Sequence, residues 1–260
     1  MEVINNIESL IEVKGLTKSY NGLLVLSNIS FNVKKGEILS ILGPSGSGKT
    51  TLLRCLIGLE EFNSPTNSIQ IEGDSRNEYL NKNRIAFVPQ RYSNFPWLSV
   101  FENIKLGMIT RQSDDLSINK HVQEIIETVG LTGFENYNIG KLSGGMQQRV
   151  AIGRAIAQNT EIIAFDEPFG ALDFKIREKL QLLVKQLNKT ILFVTHDIEE
   201  ALFIADDLIM LSKIPTSITN YYKLPFRHKM DASLKFEKDF VNFRKEIQNN
   251  IANGEGNSIK

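Results

Sequence analysis

Eight residues, Gly43-Pro44-Ser45-Gly46-Ser47-Gly48-Lys49-Thr50, combine three glycines, a lysine and hydroxyl side chains, with Thr51 directly behind them. Glycines let successive backbone N–H groups turn toward phosphate oxygens, and a helix starting at the end of such a loop adds a favourable dipole. Lys49 is then expected to reach the β- and γ-phosphates of a nucleotide, and Thr50 to ligate Mg²⁺. The bland alternative is a glycine turn with an incidental Lys-Thr. It is disfavoured by the apolar run Glu37–Leu42 before the loop and by the helical spacing of Leu52, Leu53, Leu56 and Ile57 after it. Strand, loop and helix is the context that a phosphate loop requires.

A second group of polar residues follows short apolar runs. Ile162-Ile163-Ala164-Phe165 ends in Asp166-Glu167, and ligands of open α/β sheets gather at the C-terminal ends of strands. Asp166 suits Mg²⁺, directly or through water, and Glu167 suits the polarisation of an attacking water. Gln90 follows Arg84–Val88, and His196 follows Thr190–Val194. Either residue alone reads as ordinary surface or structure, but both would face the same phosphate edge. There His196 could bond the γ-phosphate and Gln90 the metal or the water. Asp197 and Glu200 also read as a start resembling a capping box for the next helix, a structural role. Leu142-Ser143-Gly144-Gly145-Met146 precedes a further helical run. Ser143, Gly144 and Gly145 fit either a helix N-cap or a second phosphate-facing surface.

The elements that must hold these groups are legible in outline. Leu10–Val13, Ile29–Val33 and Ile69–Glu72 read as a small antiparallel sheet. Glu161–Phe165, Thr190–Val194 and Leu208–Leu211 are the nearly continuous apolar runs of strands buried on both faces of a parallel sheet. Phe174–Leu187 and Ile198–Ile204 read as intervening helices. From Tyr92 to Ala157 the periodicity is helical, with one apolar face over His121–Val129, which predicts a helical subdomain inserted into an α/β core. The tail from Pro215 is more polar, closes in an amphipathic stretch at Phe236–Ile251, and is expected to be disordered over Asn253–Lys260.

The ordered set of phosphate loop, Gln90, helical insert, LSGG, Asp166-Glu167, Ala171-Leu172-Asp173 and Thr195-His196-Asp197 resembles that of ABC-type ATPase subunits, over roughly Leu10 to Leu211. The resemblance implies a P-loop NTPase (RecA-like) α/β core with a small antiparallel β subdomain. An ABC ATPase domain would cover 1–215, with its helical subdomain at about 92–157 and a short extension at 216–260. It further implies that Tyr20 stacks on adenine, and that Ser143–Gly145 close on ATP held by a partner subunit. Asp173 would lie at that dimer interface, and the cofactors would be ATP and Mg²⁺. Met146 stands where the family usually has Gln, and it removes neither the Ser143 hydroxyl nor the backbone N–H groups.

The segment Asn94–Asn103, with Pro96-Trp97, resembles the permease-facing region of import ATPases. Together with Phe169–Asp173, Asp197–Ala201 and the short tail with Leu224-Pro225, it looks like the nitrate/sulfonate/taurine importer branch. Trp97 fits equally well as filling of the helical subdomain's core. The implied partners are a second, identical subunit, integral-membrane permease subunits and, indirectly, an extracytoplasmic solute-binding protein, with the chain at the cytoplasmic face of the membrane.

Composition bounds the alternatives. The chain has 260 residues, with 30 Lys+Arg against 30 Asp+Glu. That balance argues against a nucleic-acid binder, which carries a basic footprint, and offers no polybasic patch for anionic lipid. The single cysteine, Cys55, excludes a disulfide framework and fits a reducing compartment. Met1–Asn6 lacks the cationic start of a signal peptide, and no apolar stretch approaches the roughly 18 residues of a membrane helix. Two rival readings stand beside transport. One is an ABC ATPase of DNA repair or translation, which would be expected to carry a long coiled-coil insertion or a second domain. The other is a P-loop small-molecule kinase, in which LSGG and His196 have no job.

Overall fold

Three segments that are apolar at nearly every position, Ile38–Leu42, Ile162–Asp166 and Thr190–Thr195, are strands with every residue buried. The computed structural model describes residues 9–91, 93–108, 114–227, 229 and 231–256. The expectations placed on Met1–Asn6, on residue 92 and on 257–260 lie outside these. In chain order the elements are β1 (Ser9–Tyr20), β2 (Leu23–Lys34), β3 (Ile38–Leu42), α1 (Lys49–Leu56), β4 (Ile69–Ile71), β5 (Asp74–Ser75), α2 (Arg76–Lys82), β6 (Ile85–Val88) and α3 (Val100–Lys105). They continue with α4 (Asp115–Thr128), α5 (Gly144–Gln158), β7 (Ile162–Asp166), α6 (Phe174–Gln186), β8 (Thr190–Thr195), α7 (Ile198–Ile204), β9 (Asp207–Leu211), β10 (Ile218–Lys223) and α8 (Lys238–Gly256).

The chain divides into two units, one made of residues up to Arg84 and from Gln181 onward, the other of Ile85–Leu180. The first holds an antiparallel sheet in the order β2-β1-β4-β5 and a second set of strands in the order β10-β9-β3-β8. Here β3 is flanked by parallel β8 and β9, while β10 runs antiparallel to β9. The second unit pairs β6 and β7 in parallel and packs α3, α4 and α5 on one another. It begins at β6, upstream of the helical insert expected from residue 92, because β6 pairs with β7 and α5 packs on β6.

The C-terminal residues join the first unit rather than hanging from it. Phe226 contacts Phe240 and Phe243 with ring centroids 5.6 and 5.7 Å apart, and Phe240 is fully buried. Arg244 of α8 pairs with Glu199 of α7 at 2.6 Å. The helix α8 continues to Gly256, so part of the stretch expected to be disordered is helical.

At the start of β3, Glu37 is buried and accepts the Lys34 N–H at 2.6 Å. Burial pushes its carboxyl up to about 7, and a hydrogen bond with Asp207 of β9 reinforces the shift. Tyr221 of β10 donates to the same Asp207. A carboxyl raised in the fold favours the protonated form there. Its contribution to stability is therefore full below the unfolded value near 4.5 and is lost as pH rises through about 7. The thermal midpoint of Glu37→Gln is expected to lose this decline between pH 5 and 7, measured against the wild type in matched buffers.

Candidate functional site

In the first unit, β3 runs into the glycine loop and α1 leaves it. Gly46 and Gly48 adopt φ of 75° and 78°, a region side-chain-bearing residues rarely occupy. Gly43 has a different constraint, since a Cβ there would stand 2.8 Å from Ser47 Oγ and 3.2 Å from the Leu211 carbonyl. Gly48 caps α1 without any side-chain hydrogen bond, so no side chain competes for the first-turn N–H groups. Ser47 is buried, and its Oγ has no hydrogen-bond partner among the described residues. Lys49 is 5% exposed and donates Nζ to the carbonyls of Gly43 and Pro44, each at 2.9 Å. An orphaned hydroxyl, a helix start without a side-chain cap and a tethered ammonium fit a polyphosphate. Pro44 is half-buried, Ser45 is exposed, and Thr50 and Thr51 form the first turn of α1, both half-buried.

The parallel register of β3 and β8 pairs Leu42 with Thr195. The next residues along the two strands are Gly43 and His196, so His196 leaves its strand beside the start of the loop. It is exposed. Behind it, Asp197 caps α7 by accepting the N–H groups of Glu199 and Glu200 at 2.8 and 3.1 Å. The expected capping-box return from Glu200 takes another route. The Thr195 hydroxyl accepts the Asp197 N–H at 3.0 Å and donates to Glu200 at 2.9 Å. Tyr20 ends β1 and is 39% exposed, with the Lys18 ammonium 4.3 Å from its ring centroid.

In the second unit, β6 and β7 hold a constant register from Ile85↔Ile162 to Val88↔Phe165. Carried two residues further, it sets Gln90 against Glu167, and Gln90 Nε2 donates to Glu167 Oε2 at 2.9 Å. Asp166 is the last residue of β7 and is 2% exposed. Glu167 has φ of 46°, an uncommon left-handed conformation for a residue with a side chain, and such strain concentrates where a side chain must be aimed.

Ser143 caps α5, accepting the Met146 N–H at 3.3 Å, and is exposed. Met146 thus takes part in the cap through its backbone N–H. Gly144 is half-buried. Gly145 permits a close approach, since a Cβ there would stand 3.0 Å from the Ala171 carbonyl. Asp173 is exposed and accepts the Ile176 N–H at 3.1 Å, capping α6. Ser143 and Asp173 are therefore both helix caps within this chain and exposed residues.

Trp97 does not fill a core. It is 72% exposed, stacked edge-on against Phe95 at 5.6 Å. Its loop is held from below by the fully buried Asn103, which exchanges hydrogen bonds with Phe95 and donates to the Leu98 and Ser99 carbonyls. Beside the loop lies a cavity of about 430 Å³ lined by Leu98, Glu102, Lys105, Leu106, Met108 and Ile118, among others.

Sequence reasoning missed Thr216, which contacts the phosphate loop directly. Its signal was out of reach, because its partner Ser47 is 169 residues away. The capping boxes at Ser75/Glu78 and Ser99/Glu102 were within reach, since both carry the S-x-x-E pattern.

Residues 26–170 match the family model described as ABC transporter. Over 211 residues the chain is 40% identical to the spermidine/putrescine import ATP-binding protein PotA of Clostridium novyi, covering 79% of this chain and 60% of that protein. Over 212 residues it is 40% identical to the sulfate/thiosulfate import ATP-binding protein CysA of Bacillus cereus, covering 78% of this chain and 59% of that one. The chain thus spans about three-fifths of the length of these curated relatives. A solved dimeric structure of the ATP-binding cassette MJ0796, in a post-hydrolysis state with ADP and Pi, superposes with a TM-score of 0.75 at 34% identity. That match covers 82% of this chain and 98% of the other.

Proposed function

Because this chain belongs to the ABC transporter family, we propose that it is the ATP-binding and hydrolysing subunit of an importer, energising uptake of a small solute through a separate membrane permease. The observation that carries the hydrolytic reading is the contact of Gln90 with Glu167, placed by strand register beyond the buried Asp166. The import reading draws on the relatives, which are named as import ATP-binding proteins. The MJ0796 cassette is described as a dimer bound to ADP and Pi, and we carry that assembly to this chain as two identical subunits.

In this reading the N–H groups of Gly43 and Ser45–Thr51 and the Lys49 ammonium bind the nucleotide phosphates, while Pro44, which has no N–H, shapes the loop. Tyr20 offers its exposed face to adenine. Thr50, Asp166 and Gln90 would hold Mg²⁺, which when bound neutralises charge on the phosphates. Glu167 accepts a proton from, and orients, the attacking water, with Gln90 fixing the carboxylate from the other side. His196 donates toward the γ-phosphate. In an ATP-bound dimer, Ser143, Gly144 and Gly145 present their hydroxyl and N–H groups to the partner's nucleotide, and Asp173 lies at the interface.

No helix among the described residues is long and apolar enough to cross a membrane. We place the chain at the cytoplasmic face of the membrane, held through the permease, with an extracytoplasmic solute-binding protein as an indirect partner. The exposed Trp97 on its Asn103-braced loop supports permease docking, as rigid aromatics dominate interface energetics. For the solute, Pro96-Trp97 and Asp197–Ala201 favour the nitrate/sulfonate/taurine branch, whereas the curated relatives are named for spermidine/putrescine and for sulfate/thiosulfate.

The test is purification of the tagged chain from detergent-solubilised membranes. Integral-membrane subunits should accompany it, and Trp97→Ala should weaken that association by roughly thirtyfold while ATP binding persists. Robust phosphoryl transfer to a small acceptor, without any membrane partner, would overturn transport in favour of a kinase.

A further inference from the structure

The back of the phosphate loop is packed against residues that none of the chemistry above uses. Thr216, in the segment between β9 and β10, is fully buried, and its hydroxyl donates to the Ser47 carbonyl at 2.7 Å. Its own backbone is clamped onto β2, with the Ser27 N–H donating to the Thr216 carbonyl at 2.8 Å and the Thr216 N–H donating to the Val25 carbonyl at 2.8 Å. A Cβ built at Gly48 would meet Val25 at 3.1 Å, Leu26 at 3.3 Å and the Thr216 hydroxyl at 3.4 Å. The loop therefore leans on a wall made by β2 and Thr216. Thr216 lies beyond residues 26–170, which match the family model.

We propose that Thr216 is a positioning residue for the phosphate loop, its buried hydroxyl holding the Ser47–Gly48 peptide so that the Gly48 N–H faces the nucleotide phosphates. A trans peptide is planar, with its C=O and N–H directed oppositely. Anchoring the Ser47 carbonyl toward the wall thus points the Gly48 N–H away from it, toward the open side of the loop. Gly48 needs this restraint more than most residues. At φ of 78° it has no side chain to limit its rotation, and it opens α1 without a side-chain cap. The two backbone bonds to β2 make Thr216 a fixed post, so the segment after β9 and the antiparallel sheet together set the donor geometry that ATP meets. Pre-set donors bind more tightly than donors that must be ordered by the ligand.

This inference rests on the phosphate-loop reading, so its test carries a control for that reading. ATP dissociation constants are measured on the full chain for wild type, Thr216→Val, Thr216→Ser and Lys49→Ala, alongside nucleotide-free thermal midpoints. Thr216→Val keeps the shape but leaves the Ser47 carbonyl buried without its donor, and should weaken ATP binding about five- to thirtyfold. Thr216→Ser restores the hydroxyl and should bind like wild type. If Lys49→Ala binds ATP normally, the phosphate-loop reading itself fails. If Lys49→Ala is weakened and folded Thr216→Val binds like wild type, the positioning role is overturned. Should Thr216→Val not fold, Thr216→Ala takes its place with the same expected loss. Failure of both to fold, with Thr216→Ser intact, makes Thr216 a folding residue and overturns the proposal.

Discussion

Glu167→Gln is expected to bind ATP as tightly as the wild type while hydrolysing it about a hundred- to ten-thousandfold more slowly, the usual worth of a positioned general base. The substitution changes charge and basicity but almost no volume. Gln90 Nε2 still finds an oxygen at position 167, so the 2.9 Å contact and the aim of the side chain persist. The left-handed backbone at φ 46° is equally strained for either residue, which keeps folding out of the comparison. Without turnover the ATP-bound dimer should accumulate. Steady-state phosphate release and size-exclusion chromatography with ATP read both effects, and a normal hydrolysis rate would mean that Glu167 is not the base.

Lys49→Ala should lower ATP affinity by roughly ten- to a hundredfold, since a charge-assisted contact is worth about 1.5–3 kcal/mol. The magnitude follows from the site rather than from charge alone. Lys49 is 5% exposed and already held by the Gly43 and Pro44 carbonyls, so its ammonium is poised at the loop and loses little freedom on meeting phosphate. The same substitution leaves those two carbonyls short of a donor, so a modest fall in the nucleotide-free thermal midpoint should accompany it. Titration with a fluorescent ATP analogue checks the first effect and calorimetric melting the second. Unchanged ATP binding would contradict the role of the loop.

The parts of the fold that the residues announced are those where burial acts on every position of a short segment. β3, β7 and β8 are buried throughout, so continuous apolar runs could mean little else. Where only one face is covered, or the ladder is irregular, the pattern blurs. β1 and β2 extend well beyond the short runs expected, because repeated register shifts and Gly15 at φ 62° interrupt their alternation. β10 was not anticipated. It is an edge strand paired to β9, and only Tyr222 along it is buried. The candidate site residues were singled out by spacing, yet which of them meet is set by registers that no local pattern displays. Gln90 meets Glu167 only because β6 and β7 pair with one offset, and His196 follows Leu42's partner only because β3 and β8 pair with another. Trp97 marks the opposite limit. Its apolar character fitted a core, and only the Asn103 hydrogen bonds beneath its loop show why it is presented to solvent.

That Ser143–Gly145 complete the ATP site of a second chain is the claim on which the rest depends. Cysteine crosslinking tests it cleanly here, because the lone native thiol, Cys55, is fully buried and burial pushes it up to about 11, leaving it unreactive. Ser45 is the better loop partner than Gly46, whose φ of 75° a cysteine would strain. In the Glu167→Gln background, chains carrying Ser45→Cys are mixed with chains carrying Ser143→Cys and oxidised with and without ATP. The trans arrangement predicts an ATP-dependent interchain disulfide between the two variants. Bound ATP with no such crosslink would contradict it.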